Sequence, residues 1–340
     1  MSFRAFIAGC AGPSLSADER AFFKEARPWG LILFRRNIDN PAQLRALTAS
    51  FRDLLGDDAA VLVDQEGGRV QRLSAPHWPV YPPAAVFGKM AKGAPGADER
   101  LAAFSARLMA VDLLQLGIDV DCLPVLDVPA PGAHKIIGDR AYAESPAEVG
   151  RLGRAAALGL MAGGVMPVMK HIPGHGRALA DSHLELPKVT ASRAELEADF
   201  APFRANADLP AAMTAHVVYE SIDPLQPGTH SRDVVEGIIR GEIGFDGLLM
   251  TDDLSMNALG GRFFERSARA FAAGVDLALH CNGDLTEAGA VAQAAPELAG
   301  KALERVERAR ACVARRFAQA EPFDPVDARA ELVSALAALA

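Results

Sequence analysis

Eight short runs rich in Val, Ile and Leu punctuate this 340-residue chain, at residues 3–9, 29–34, 59–63, 118–126, 165–169, 211–215, 247–251 and 275–279. Few polar residues interrupt them, so a strand built from any of them would bury both faces. Strands of that kind belong to parallel sheets covered by helices. The segments between them supply those helices. Residues 16–26 begin at Ser16, a good N-cap followed by acidic residues, and residues 41–55 carry Pro41 in the first turn. Further helical patterns cover residues 98–116, 146–162, 192–205, 231–242 and 263–273.

Eight βα units within roughly 250 residues match the count and size of a closed (β/α)8 TIM-type barrel. An open doubly wound sheet is the competing α/β architecture, but it would carry a GxGxxG turn after its first strand, and this chain has none there. The expectation is a single domain. Residues 1–290 form the barrel, and residues 291–340 form an alanine-rich helical extension packed outside it, broken at Pro296 and at residues 322–325.

Half of the residues are hydrophobic and 23% are charged, a balance that supports a large core and excludes a disordered chain. A formal net charge of −8 argues against nucleic acid and anionic membranes as partners, since both select a basic face. Cys10, Cys122, Cys281 and Cys312 are widely spaced with no CxxC pair, which reads as reduced thiols in a cytoplasmic protein. The first apolar run is far shorter than the ~20 residues of a spanning helix. It reads as a strand rather than a signal peptide. No feature fixes an oligomeric state, and a monomer is expected.

Barrels of this kind gather function at the C-terminal ends of their strands. Asp64 and Arg72 follow the third run, Asp127 and Arg140 the fourth, and Lys170, His171, Asp181 and His183 the fifth. His216 follows the sixth, Asp252 and Asp253 the seventh, and His280 and Asn282 the eighth. The opposite ends are apolar or glycine, and that asymmetry points to an enzyme. The densest stretch is KHIPGHGRALADSH, residues 170–183. Pro173, Gly174 and Gly176 rule out a helix or an interior strand. The fifth strand should therefore end near Met169 and deliver Lys170 and the histidines on a loop.

Three chemistries fit such a barrel. Glycoside hydrolysis would use Asp252 or Asp253 as a nucleophile with a second group as acid/base. Strand parity lets only one of that pair point inward, without saying which; the other is read as an N-cap of the following turn. Metal-dependent hydrolysis is suggested by His171, His175, Asp181 and His183, although Pro173 and Gly174 break the helix that an i,i+4 pair of ligands requires. Lys170 could form a Schiff base if burial lowered its pKa. A non-catalytic sugar-binding barrel is the remaining alternative. His175 is read as shaping its loop, Glu66 and Arg69 as bracing the loop after the third strand, and Cys281 as packing. His216 is left open between a site contact and a core histidine.

Three segments select among these: VDQEGGRVQR at residues 63–72, KHIPGHGRALADSH at residues 170–183 and GFDGLLMTDDLSM at residues 244–256. In this order and on the third, fifth and seventh strands they resemble family 3 glycoside hydrolases. Within that family they are similar to the single-domain bacterial β-N-acetylglucosaminidases of cell-wall recycling. LILFRRN at residues 31–37, IGDRAY at residues 137–142 and MTAHVVY at residues 213–219 fit the same pattern. The resemblance extends from about residue 3 to residue 282. It implies Asp252 as the catalytic nucleophile, with Thr251 where the family has serine, and His183 with its partner Asp181 as the acid/base on a loop. It also implies that Asp64, Arg72, Arg140, Lys170 and His171 hold the hydroxyls of a non-reducing N-acetylglucosamine. The implied substrate is a small muropeptide, N-acetylglucosamine joined to 1,6-anhydro-N-acetylmuramic acid, hydrolysed without metal or cofactor. Ile172 stands where the family commonly has phenylalanine.

Overall fold

The computed structural model describes residues 2–90, 96–178, 182 and 185–338. Among these, eight parallel strands close into a barrel: β1 Arg4–Gly9, β2 Pro28–Leu33, β3 Ala60–Val63, β4 Val120–Asp121, β5 Met166–Ile172, β6 Ala211–Thr214, β7 Leu248–Asp253 and β8 Leu277–His280. Closure is made by β1, whose Ile7 faces Gly30 of β2 on one side and Leu279 of β8 on the other. The expected (β/α)8 architecture is therefore observed. Every residue of β2, β3, β5, β6 and β8 is buried, as their uninterrupted apolar character requires.

Local signals set several helix boundaries. In the helix Ala17–Ala26, the Ser16 side chain accepts from the Glu19 amide while the Glu19 carboxylate accepts from the Ser16 amide, a capping box. Helices Pro41–Leu55, Pro146–Ala162 and Phe263–Ala273 occupy the expected ranges. The helix Gly300–Ala318 lies across the end of the barrel where strands begin. Its Arg305 bonds Asp276 at 2.9 Å and Asp246 at 2.7 Å, just ahead of β8 and β7. Helix Pro325–Ala337 packs on helix Ala97–Leu114, so neither helix of this extension covers the opposite, open end where strands finish.

Two strands depart from expectation. Only Val120–Asp121 of the fourth run pairs regularly, because Pro124 cannot donate to a ladder; the chain rejoins the sheet through a single Val125–Lys170 bridge. Conversely β5 runs on to Ile172, with Lys170 opposite Met213 and Ile172 opposite Thr214 of β6. Lys170 and His171 thus stand on a strand, not on the loop, and Pro173 is what ends it. The helix Ala85–Met90, the ribbon of Gln65–Gly67 with Val70–Gln71, and the pairing of Lys188–Val189 with Val218–Tyr219 were not anticipated.

Helices Ala97–Leu114 and Pro146–Ala162 cross so closely that a Cβ on Gly159 would lie 2.2 Å from the Ala103 carbonyl oxygen. Gly159→Val, remote from the open end, is expected to lower stability by about 1–3 kcal/mol through overpacking, read as an earlier urea midpoint. An unchanged midpoint would contradict so tight a crossing.

Candidate active site

At the C-terminal ends of the strands lies a cavity of about 220 Å³. Asp64, Arg72, Arg140, Lys170, His171 and Asp252 all line it. Asp181 and His183 lie outside the described residues, but Ser182 between them also lines the cavity.

One wall is a chain of alternating charges. The Lys170 ammonium is 2.8 Å from Asp64 Oδ1 and 2.6 Å from Glu66 Oε1. Asp64 Oδ2 accepts from Arg72 Nη2 at 2.8 Å. Glu66 receives the Arg140 guanidinium as a fork, with both bonds 2.8 Å. Asp64 and Glu66 reach the same side because they stand two apart on extended backbone. The intervening Gln65 holds the turn: its side-chain oxygen accepts from the Arg72 and Leu73 amides, and its own amide donates to Asp121. Gly67 and Gly68, with φ of 86° and 58°, supply the left-handed backbone that folds the ribbon back. Phe34 supports the far end, its ring 5.1 Å from the Arg72 guanidinium and 5.0 Å from that of Arg36.

This arrangement fixes protonation. Burial alone would raise the pKa of Asp64, but the charges of Lys170 and Arg72 outweigh it and hold the carboxyl well below its ordinary range. Glu66 is depressed in the same way, burial being overcome by Lys170 and Arg140. Burial works against the Lys170 ammonium, yet Asp64 and Glu66 raise its pKa above the usual lysine value. A lysine so held stays protonated and is no Schiff-base nucleophile. Glu66 thus does more than brace its own loop, since it ties the loops after β3 and β4 to β5. Arg69 is the brace, pairing with Asp139 at 2.9 Å and donating to the Lys135 and Ile137 carbonyls.

The next wall is built on Asp127, fully buried after β4. Its Oδ2 is 2.6 Å from His171 Nδ1, and its Oδ1 accepts from the His175 amide at 2.6 Å. The His175 ring reaches the Ser182 hydroxyl at 3.2 Å. Burial and the adjacent His171 push its pKa down to about 4, so this ring is neutral. Gly176 is required by close approach, because a Cβ there would sit 1.8 Å from the Val128 carbonyl oxygen.

The two neighbouring aspartates on β7 are separated by their bonding. Asp253 spends its carboxylate on structure: Oδ1 accepts from the Ser255 and Cys281 amides, and Oδ2 from the Ser255 hydroxyl at 2.5 Å. Asp252 accepts from the Asp253 amide at 2.8 Å, and both aspartates line the cavity. Thr251 uses its hydroxyl to accept from the Leu279 amide, tying β7 to β8.

His216 proves to be a satisfied wall histidine, its Nδ1 2.7 Å from the Thr229 hydroxyl and Nε2 3.1 Å from the Asp253 carbonyl oxygen. Burial pushes its pKa down. His280 and Asn282 turn to Glu287 instead of lining the cavity. Cys281, expected only to pack, does line it, and burial raises the pKa of its thiol. Among the described residues, no three His, Cys, Asp or Glu side chains are grouped as metal ligands would be. Among them also, no helix is long and apolar enough to cross a membrane.

The model of the glycosyl hydrolase family 3 N-terminal domain matches residues 9–315. A β-hexosaminidase of Alkalilimnicola ehrlichii is 41% identical over 279 residues, covering 81% of this chain and 79% of the relative. One from Bordetella avium is 37% identical over 301 residues, covering 87% and 82%. Among solved structures, NagZ from Neisseria gonorrhoeae in complex with N-trifluoroacetyl-D-glucosamine is similar, with a TM-score of 0.79, 34% identity and coverage of 93% of this chain and 99% of that one. A family 3 β-N-acetylglucosaminidase from a Paenibacillus species gives a TM-score of 0.81 at 32% identity, covering 94% and 62%.

The depressed carboxyls predict the acid response. Unfolded Asp and Glu titrate near ~3.9 and ~4.3, and both folded values are lower. The cluster's stabilisation is therefore complete above about pH 5 and is lost as pH falls through the folded values. Asp64→Asn should cost about 3 kcal/mol at pH 7 by breaking a buried pair. It should also flatten the fall in stability between about pH 4 and pH 2. Denaturation curves across this range that parallel the native protein's would contradict the arrangement.

Proposed function

The chain belongs to glycosyl hydrolase family 3 and is a β-N-acetylhexosaminidase, and from that premise we propose that it is a retaining exo-β-N-acetylglucosaminidase of peptidoglycan recycling. The observation that carries this reading is that Asp252 lines the same cavity as the five-charge wall, beside an Asp253 whose carboxylate is taken up by the Ser255 amide and hydroxyl and the Cys281 amide.

Asp64, Arg72, Arg140, Lys170 and His171 hold the hydroxyls of one non-reducing sugar. Hydrogen bonds to charged groups are worth about 1.5–3 kcal/mol each, and the wall is assembled before substrate arrives, so the ring is oriented with little reorganisation. An Asp252 oxygen forms a bond to the anomeric carbon as the glycosidic C–O bond breaks. The Asp181–His183 dyad gives its proton to the departing oxygen. The product is an α-linked glycosyl ester on Asp252. Water then attacks the same carbon, His183 takes the proton, and the carboxylate departs with β configuration restored. Histidine suits both steps, because its ordinary pKa of ~6.5 lets it give and take a proton near neutrality. Asp181 orients the ring and stabilises its cationic form. The substrate is a small muropeptide fragment in the cytoplasm, N-acetylglucosamine joined to 1,6-anhydro-N-acetylmuramic acid, and neither metal nor cofactor takes part.

A slow-deacylating fluoro-sugar should add one glycosyl unit to the intact protein and map to the peptide bearing Asp252. Asp252→Ala should lose at least about 10⁴-fold in turnover of an aryl N-acetylglucosaminide. Adduct on Asp253, or an active Asp252→Ala, would overturn the assignment. His183→Ala is expected to lose most activity on natural fragments and far less on substrates with an activated leaving group, which need no acid. Equal losses on both would exclude the acid role.

A further inference from the structure

The structure assigns Asp127 as a positioning residue for this site: its buried carboxylate holds the His171 imidazole in the form that carries hydrogen on Nδ1, leaving Nε2 to meet a hydroxyl of the sugar. Asp127 has no solvent exposure and sits between two segments it binds at once. Oδ2 takes the His171 ring at 2.6 Å, and Oδ1 takes the His171 amide at 3.3 Å and the His175 amide at 2.6 Å. Burial would favour the neutral acid, but the contacts with His171 and His175 lower its pKa, so the group is an ionised acceptor. An acceptor 2.6 Å from a ring nitrogen requires a hydrogen on that nitrogen. His171 lines the cavity. With Nδ1 committed, Nε2 is the ring nitrogen left for a ligand.

The anchor lies where the segment after β5 leaves the strand. The chain after Asp127 is stitched to that segment by Ala130 N to Gly176 O at 3.1 Å and His134 N to Ala178 O at 2.9 Å. The Gly174 carbonyl accepts from the Tyr219 hydroxyl at 2.8 Å. The Asp127 carboxylate therefore sets ring orientation and the root of the loop together, as carboxylates behind functional histidines do elsewhere. The role depends on His171 holding a sugar hydroxyl, as proposed above; the position of the ring hydrogen does not.

Asp127→Asn separates the two. Its amide oxygen can keep the backbone bonds, while its NH2, placed where Oδ2 was, donates to the ring and drives the hydrogen to Nε2. Ring nitrogen NMR should show hydrogen on Nδ1 of His171 in the native protein and on Nε2 in the variant. The KM for an aryl N-acetylglucosaminide should rise about 10- to 100-fold with a smaller change in kcat, and His171→Ala should raise KM similarly. Adding Asp127→Asn to His171→Ala should change KM no further. Hydrogen on Nε2 alone in the native protein overturns the assignment, even if the variant fails to fold. So does a native KM in Asp127→Asn when His171→Ala raises it. If both variants keep the native KM, His171 is not a sugar contact, and the positioning role falls with that reading.

Discussion

The buried ammonium of Lys170 dictates much of what surrounds it. An isolated ion cannot be taken out of water without a cost far beyond the net stability of a domain, so Asp64 and Glu66 flank it. Each of those carboxylates is largely buried in turn and needs a further cation, which Arg72 and Arg140 supply. The chain of charges ends where the arginines approach solvent. Such a network contributes little net stability over an apolar core, but removing one member strands its neighbour. It therefore binds the loops after β3 and β4 to β5 and specifies one arrangement of donors. Donors fixed in advance are stronger partners for sugar hydroxyls than mobile ones.

Identical residue types take different work from their surroundings. Asp252 and Asp253 are adjacent at the cavity wall, yet three donors, the Ser255 amide and hydroxyl and the Cys281 amide, converge on the second. His171, His175 and His216 are likewise sorted by contact. One rests on a carboxylate, one is held neutral beneath the loop, and one has both ring nitrogens satisfied inside the wall. Their chemistry follows from the neighbours and not from the side chain.

Features encoded locally were legible in the sequence. Ser16 with Glu19, Pro41 and the apolar periodicity carry helix limits in a few adjacent residues, and eight buried strands with polar residues at one end imply a barrel with a site at its mouth. Features decided across the sheet were not. The extension of β5 depends on its partner β6, so the strand reaches Pro173 instead of stopping with the apolar run at Met169. The shortness of β4 is carried by Pro124, a single residue inside the fourth run. The bond between Glu66 and Arg140 spans 74 residues, and that between Asp127 and His171 spans 44, so neither pattern shows in a local window. Asp127 was visible as a polar strand end; only the depth of its burial and its three donors reveal what it holds.

The central claim is that Asp252 bonds to the anomeric carbon of a ring held by the charged wall, so the reaction proceeds through two displacements at that carbon. A carboxylate activating water instead would give a single displacement and inverted product. Proton NMR during the first minutes of cleavage, before the sugar mutarotates, distinguishes the two. The account predicts that the β anomer of N-acetylglucosamine appears first and decays toward equilibrium; an initial α anomer would contradict it.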